Sequence, residues 1–282
     1  MVALGEALYH DTLLSADGTV SCATCHGLDT GGVDRLPVST GVKNQQGPIN
    51  APTVYNSSYN FVQFWDGRAG SLEEQAAGPV ANPLEMGDDW PTVVKKVAAS
   101  ERYRGAFDEL FGGEVTTETI TKAIAEFERT LITPNSRFDQ YLEGDKTALT
   151  DEEKRGALLF AESGCMSCHS GSFFGGRDYQ KLADSYFEGR GGETDADLGR
   201  YNVTNDPAHR HMFKTPILRN VEVTWPYFHD GSAPDLETAV TTMAKHQLGL
   251  DMPAQDASAV AAFLKTLTGE YKGAPLTQMD AR

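Results

Sequence analysis

All four cysteines of this chain fall in two Cys-x-x-Cys pairs, Cys22 with Cys25 and Cys165 with Cys168, and a histidine follows each pair at once, His26 and His169. Cys-x-x-Cys-His is the sequence to which haem c is attached. Both thiols add to the haem vinyl groups, and the adjacent imidazole reaches the iron from one face. A redox dithiol or a zinc site does not explain a histidine after each pair, and a single zinc drawn from both would have two ligands too many. The expectation is two covalently bound haem c groups. Haem is attached outside the cytosol, so the mature chain is expected in the periplasm. Met1-Val2-Ala3-Leu4 carries neither a basic nor a long apolar signal region, so an export signal is expected to have been removed.

The chain has 282 residues, enough for about two domains with real cores. With 40% hydrophobic and 23% charged residues it fits neither a disordered nor a membrane class, and no stretch is apolar enough to span a bilayer. The 24 basic and 40 acidic residues leave a formal charge of −16, which argues against nucleic-acid binding and favours a cationic macromolecular partner, if there is one.

The attachment sites define an internal repeat. Gly5-Glu6-Ala7-Leu8-Tyr9 precedes the first and Gly156-Ala157-Leu158-Leu159-Phe160 the second, and each reads as a helix leading into a haem turn. Thr150 with Glu153 makes a capping box before the second. Between the sites, residues 92–111 and a run opened by Thr116 or Thr117 read as a helical hairpin that stops at Thr133-Pro134-Asn135. This gives an all-α fold of two cytochrome c-like helical domains, residues 1–133 and 134–282, each with one haem. Residues 170–216 read mostly as loop, long enough to wall the second haem. A helix from Asp235 to His246, closed by Gly249, and a last helix over residues 257–267 follow.

A haem iron held by one histidine has an undecided face. Sulfur or imidazole there makes an electron carrier, and an open face makes a reaction site. His10, His209, His211, His229, His246 and the methionines are the available ligands. Met243 stands out because it lies with Val240 and Gln247 along one side of an expected helix in the half that holds the second haem.

The segments Ser21 to His26, Gly47 to Val54, Gln63-Phe64-Trp65-Asp66-Gly67-Arg68, Glu74 to Val80, Glu85-Met86 and Leu218 to Gly231 resemble, in one order along nearly the whole chain, the bacterial di-haem cytochrome c peroxidases. The resemblance implies that the haem on His26 is the low-potential peroxidatic centre, and that the haem on His169, closed by Met243, is the high-potential electron-transfer centre. It implies that Glu85 moves the proton in peroxide cleavage, Gln75 positions the peroxide and Trp65 lies between the haems. It also implies that Asn50, Thr224 and Pro226 hold a calcium ion between the domains, with hard oxygen ligands as calcium requires, and that the chain dimerises.

One departure matters. Where studied members carry a loop histidine that caps the resting peroxidatic iron, this chain has Val42, which cannot ligate. The expectation is an iron open without prior reduction. The full reading is a periplasmic enzyme reducing hydrogen peroxide to water with electrons from a small redox protein, either a cytochrome c or a small copper protein. Its rivals are a di-haem electron carrier without peroxidase activity and a relative of the enzymes that oxidise a protein-bound tryptophan precursor. Those have a tyrosine where Met243 stands.

Overall fold

The computed structural model describes residues 1–188, 190 and 192–279. It is helix-rich. The first half contains α1 (Val2–Tyr9), the one-turn α2 (Cys22–Cys25), α3 (Leu72–Ala81), α4 (Trp90–Ala99), α5 (Glu101–Phe111) and α6 (Thr117–Glu128). The second contains α7 (Arg137–Leu142), α8 (Asp151–Glu162), the short α9 (Asp184–Phe187) and α10 (Tyr201–Thr204), α11 (Leu236–Leu248), α12 (Ala254–Lys265) and α13 (Leu276–Met279).

Local chemistry sets these boundaries. Thr150 accepts from the Glu153 N–H while Glu153 accepts from the Thr150 N–H, so the expected capping box opens α8. Asp235 caps α11, and Gly249, at φ +64°, closes it in the left-handed region that favours glycine. The expected helix over residues 92–111 is instead two, α4 and α5, because Ser100 leaves helical geometry at ψ +119°. The last long helix begins at Ala254, ahead of the expected Ala257, since Pro253 sets its first turn.

Two helix pairs cross at a glycine. A Cβ on Gly5 of α1 would stand 1.9 Å from the carbonyl oxygen of Ala123 on α6, and one on Gly156 of α8 would stand 1.9 Å from that of Ala259 on α12. Only a residue without Cβ lets backbones approach this closely. The Cβ atoms of Phe127 and Phe263 flank the two contacts at 2.8 and 3.0 Å from the same points. The glycine repeat in the sequence is thus a repeated helix crossing.

A second repeat is clearest in three dimensions. Residues 52–72 and 216–236 follow the same path: Asn56 and Asn220 at φ +59° and +67°, Phe64 and Phe228 at φ +67° and +72°, a Gln63–Ala69 bridge matched by Tyr227–Ala233, then a capped helix, α3 or α11. Trp65 and His229 occupy equivalent places. Their shared sequence signal is Pro-x-x-x-Asn, at 52–56 and 216–220, and Phe-x-Asp-Gly-x-Ala-x-x-Leu-Glu, at 64–73 and 228–237.

Each half has its own core. Leu8, Tyr9, Phe107, Ile120, Ile124 and Phe127 build the first, joined from the far end of the chain by Tyr271 and Leu276. Phe160, Phe174, Phe263 and Leu264 build the second. Burying each such side chain contributes about 1.5–3 kcal/mol before the entropy of ordering is subtracted. The halves are pinned by a buried polar node in which the Nδ2 groups of Asn56 and Asn220 donate to the Thr133 hydroxyl at 2.7 and 2.9 Å. The Gly269 N–H donates to the Asn220 side chain at 3.1 Å.

The connection over residues 170–216 is not all loop. β1 (Tyr179–Lys181) pairs antiparallel with β2 (Met212–Lys214), Tyr179 opposite Lys214. A small pair, β3 (Glu270–Tyr271) and β4 (Ala274–Pro275), turns the chain back toward the first core.

Candidate active site

The two attachment segments are built alike. None of the four cysteines is in a disulfide, so every sulfur is available for haem attachment. The Ser21 N–H donates to the Thr24 hydroxyl at 3.0 Å and starts the single turn that carries Cys22 and Cys25. The His26 Nδ1 pairs with the Gly32 carbonyl and the His169 Nδ1 with the Phe174 carbonyl, both at 3.2 Å. Each pairing fixes the tautomer and leaves Nε2 as the nitrogen that can bind iron. Burial holds both imidazoles below their usual pKa, so both are neutral at pH 7. The Tyr9 hydroxyl donates to the His26 carbonyl at 2.6 Å and ties this segment to α1.

Cys165, Cys168 and His169 open onto a large, mainly apolar cavity walled by α11, α12 and β1–β2. Met243 lines it, packed with Leu182, Tyr186 and Phe213. The residues present therefore fit a c-type haem: Cys165 and Cys168 would attach it, and His169 and Met243, both on the cavity wall, would be its iron ligands. The long connection walls this cavity through Gln180, Lys181, Leu182 and Phe213, as its length implied.

The first half lacks that thioether at the equivalent place. Counting from the matched starts Leu72 and Leu236, the eighth residue of α11 is Met243 and the eighth of α3 is Pro79. Proline has no side-chain donor.

Glu85 lies beyond the end of α3. Its carboxylate accepts from the Asn82 Nδ2 at 2.6 Å, and burial raises its pKa against the lowering effects of Asn82 and Arg68. It is near the first attachment pair. Burial above all, with Glu85 among the contributing charges, pushes Cys22 up to about 12 and Cys25 up to about 11. Val42 is 2% exposed, its N–H donates to the Glu85 carbonyl at 2.8 Å, and its side chain packs over Gly87. Gln75 sits half-buried on the first turn of α3. Ser71 caps that helix through the Glu74 N–H, while Glu74 turns its carboxylate to the Gly70 N–H and so closes no capping box with Ser71. Arg68 stacks over Phe64 at 3.5 Å from the ring centre and chelates Asp66.

Trp65 stands between the halves. Its indole N–H donates to the Asn50 carbonyl at 2.9 Å, and the Asn50 N–H donates to the His229 carbonyl at 2.7 Å. Its ring meets Phe213 and His229 edge-on, each at 6.3 Å, and lines the cavity of the second half. Asn50, Thr224 and Pro226 border the same cavity. The Asn50 Nδ2 is spent on the Leu36 carbonyl at 2.8 Å, which leaves its amide oxygen as the hard donor.

The other histidines are engaged elsewhere. His229 pairs with Asp197 at 2.7 Å and stacks on Phe213, while His211 bonds Asp184 at 3.0 Å and also Glu193. His209 meets Thr204, His246 meets Ser185, and His10 packs edge-on against Tyr9. The His229–Asp197 pair had no signal in the sequence beyond the Phe-x-Asp-Gly repeat.

Comparisons with known proteins identify the family, which includes cytochrome c peroxidases and MauG proteins. The family model described as di-haem cytochrome c peroxidase matches residues 1–147. The chain is 51% identical over 96% of its length to the cytochrome c551 peroxidase of Nitrosomonas europaea, covering 80% of that protein. It is 48% identical over 96% of its length to the cytochrome c peroxidase of Escherichia coli, of which it spans only 58%. Among solved structures, a MauG-like protein associated with microbial copper homeostasis superposes with a TM-score of 0.84 at 29% identity, over 95% of this chain and 89% of that one. This chain belongs to the di-haem cytochrome c peroxidase family, a family of haem oxidoreductases, and membership implies two c-type haems. No helix among the described residues is long and apolar enough to cross a membrane.

Proposed function

We propose that this protein is a periplasmic enzyme that reduces hydrogen peroxide to two waters, using two protons and two electrons delivered singly by a small redox protein. The observation that carries this reading is the Met243–Pro79 register. One half offers a thioether in the same cavity as its histidine, while the equivalent helical position of the other is a proline. When bound, the haems supply iron that passes single electrons at one centre and meets peroxide at the other.

In this reading His26 and Met243 define a division of labour. His169 and Met243 hold the electron-receiving centre, and His26 holds the centre with the open face. Glu85, whose buried position raises its proton affinity, takes the proton from the attacked peroxide oxygen and returns it to the departing one. Asn82 fixes its carboxylate. Gln75 holds the peroxide by a hydrogen bond, and Trp65 couples the halves. Val42 lets the first centre accept peroxide in the fully oxidised protein, because its side chain is apolar and is turned onto Gly87. Asn50, Thr224 and Pro226 hold calcium, and two chains form a homodimer. The net charge of −16 suits a cationic donor such as a basic cytochrome c, with a small copper protein as the other candidate.

The decisive experiment is the ferric spectrum combined with turnover. One high-spin and one low-spin haem, with peroxide consumed at once by the oxidised, donor-supplied enzyme, is the expected result. Two low-spin haems and no turnover would leave only an electron carrier.

A further inference from the structure

The cavity that holds Cys165, Cys168 and His169 has an unusual charge pattern for so acidic a chain. Among the described residues no aspartate or glutamate lines it, and two lysines do, Lys181 and Lys214. Lys181 is exposed and already paired with Asp184 at 2.9 Å. Lys214 is 6% exposed, and no ion pair or side-chain hydrogen bond is found for its ammonium among the described residues. A buried ammonium without a counter-charge costs several kcal/mol or loses its proton. Burial alone pushes Lys214 down to about 8. Such a residue points to an anion brought by whatever fills the cavity.

A c-type haem brings two carboxylates, on the side chains opposite its attachment points. Resting on the reading of this cavity as the electron-receiving haem site, we infer that Lys214 forms an ion pair with one of these carboxylates and sets the orientation of that edge. Its backbone places it beside Trp65. The Lys214 N–H donates to the Trp65 carbonyl at 2.8 Å, and Lys214 faces Tyr179 across the β1–β2 pair. The pair would accordingly lie at the Lys214 wall of the cavity, which Trp65 also lines. Lys214 is a positioning residue: it touches neither peroxide nor iron. Its positive charge in a poorly solvated cavity favours the reduced iron, and so raises this centre's potential.

The test uses the haem-loaded protein and the variants Lys214→Met, Lys214→Gln and Lys214→Arg. Haem content per chain is measured first, then the potential of the methionine-ligated haem by spectroelectrochemistry. At the wild-type midpoint, the neutral variants are expected to lower the ferrous-to-ferric ratio about tenfold, a shift of about 59 mV for one electron, while Lys214→Arg stays near wild type. Loss of the second haem from both neutral variants, with Lys214→Arg fully loaded, also supports the pairing. Fully loaded Met and Gln variants with an unmoved potential overturn it. A wild-type protein without two covalent haems overturns the underlying reading instead, so the two failures are distinguishable.

Discussion

The Val42 N–H donates to the Glu85 carbonyl oxygen at 2.8 Å, which joins the loop after the first attachment segment to the backbone of the carboxylate proposed for catalysis. Because this bond uses only backbone, it holds for any residue at position 42 that keeps the loop conformation. What changes with the side chain is whether a ligand is available. The variant Val42→His should convert part of the high-spin ferric signal to low-spin and introduce a lag that prior reduction removes. Electron paramagnetic resonance of the oxidised protein, with stopped-flow peroxide consumption, checks this. An unaltered spectrum in the variant would count against the loop's proximity to the iron.

Replacing Glu85 with glutamine keeps the shape and the Asn82 contact but removes the titrating group. Turnover should fall by roughly 10²–10⁴-fold, with both haems retained. The wild-type rate should decline on the acid side as Glu85 is protonated, with the limb displaced above the ordinary carboxylate range because burial raises its pKa. That limb should vanish in the variant. A pH profile that is the same in both proteins would remove Glu85 from the mechanism.

The helix crossings predict a stability effect with no direct bearing on chemistry. Gly5→Ala or Gly156→Ala puts a Cβ 1.9 Å from a carbonyl oxygen that cannot swing aside. Each should destabilise its half by about 1–3 kcal/mol or more. Urea unfolding of the haem-loaded protein, read at constant slope, measures it. Losses below about 0.5 kcal/mol, the range of an ordinary surface change, would mean that the helices separate easily.

Glu128 is 4% exposed, its Oε2 has no hydrogen-bond partner, and burial raises its pKa to about 8 against the lowering effect of Arg129. Glu73 adds to the rise, and Tyr9 and Cys22 feel the charge of Glu128. Its folded pKa lies above the unfolded value, so folding takes up a proton between about 4.5 and about 8. The stability contributed by Glu128 is therefore present in full below that window and is lost as the pH rises through it. Glu128→Gln should flatten this slope and leave the protein more stable than wild type near pH 8 by on the order of a few kcal/mol. Parallel pH dependences of the two proteins would show that the carboxyl is solvated.

Much of this architecture was readable because it rests on short-range chemistry. Cys-x-x-Cys-His fixes a haem turn, Thr150 with Glu153 fixes a helix start, and Gly249 fixes a helix end. Met243 followed from helical spacing, and the structure puts it in the cavity with His169. The break at Ser100 was not legible, since apolar spacing continues across it and only the backbone angle changes. Lys214 and the His229–Asp197 pair were invisible for another reason. Their significance depends on what surrounds them, and burial without a counter-charge cannot be read from a line of residues. The return of Tyr271 and Leu276 to the first core is a contact of the same kind, made across most of the chain.

Two glycine crossings, two turns of the same path and a methionine matched by a proline make the two halves variations on one unit. A duplicated pair begins with identical centres, and natural selection must then make them differ. In the proposed reading, a thioether present at one helical position and absent from its counterpart, Met243 against Pro79, separates a conductor from a reactor. Unequal twins of this sort can diverge by single substitutions, without a new scaffold.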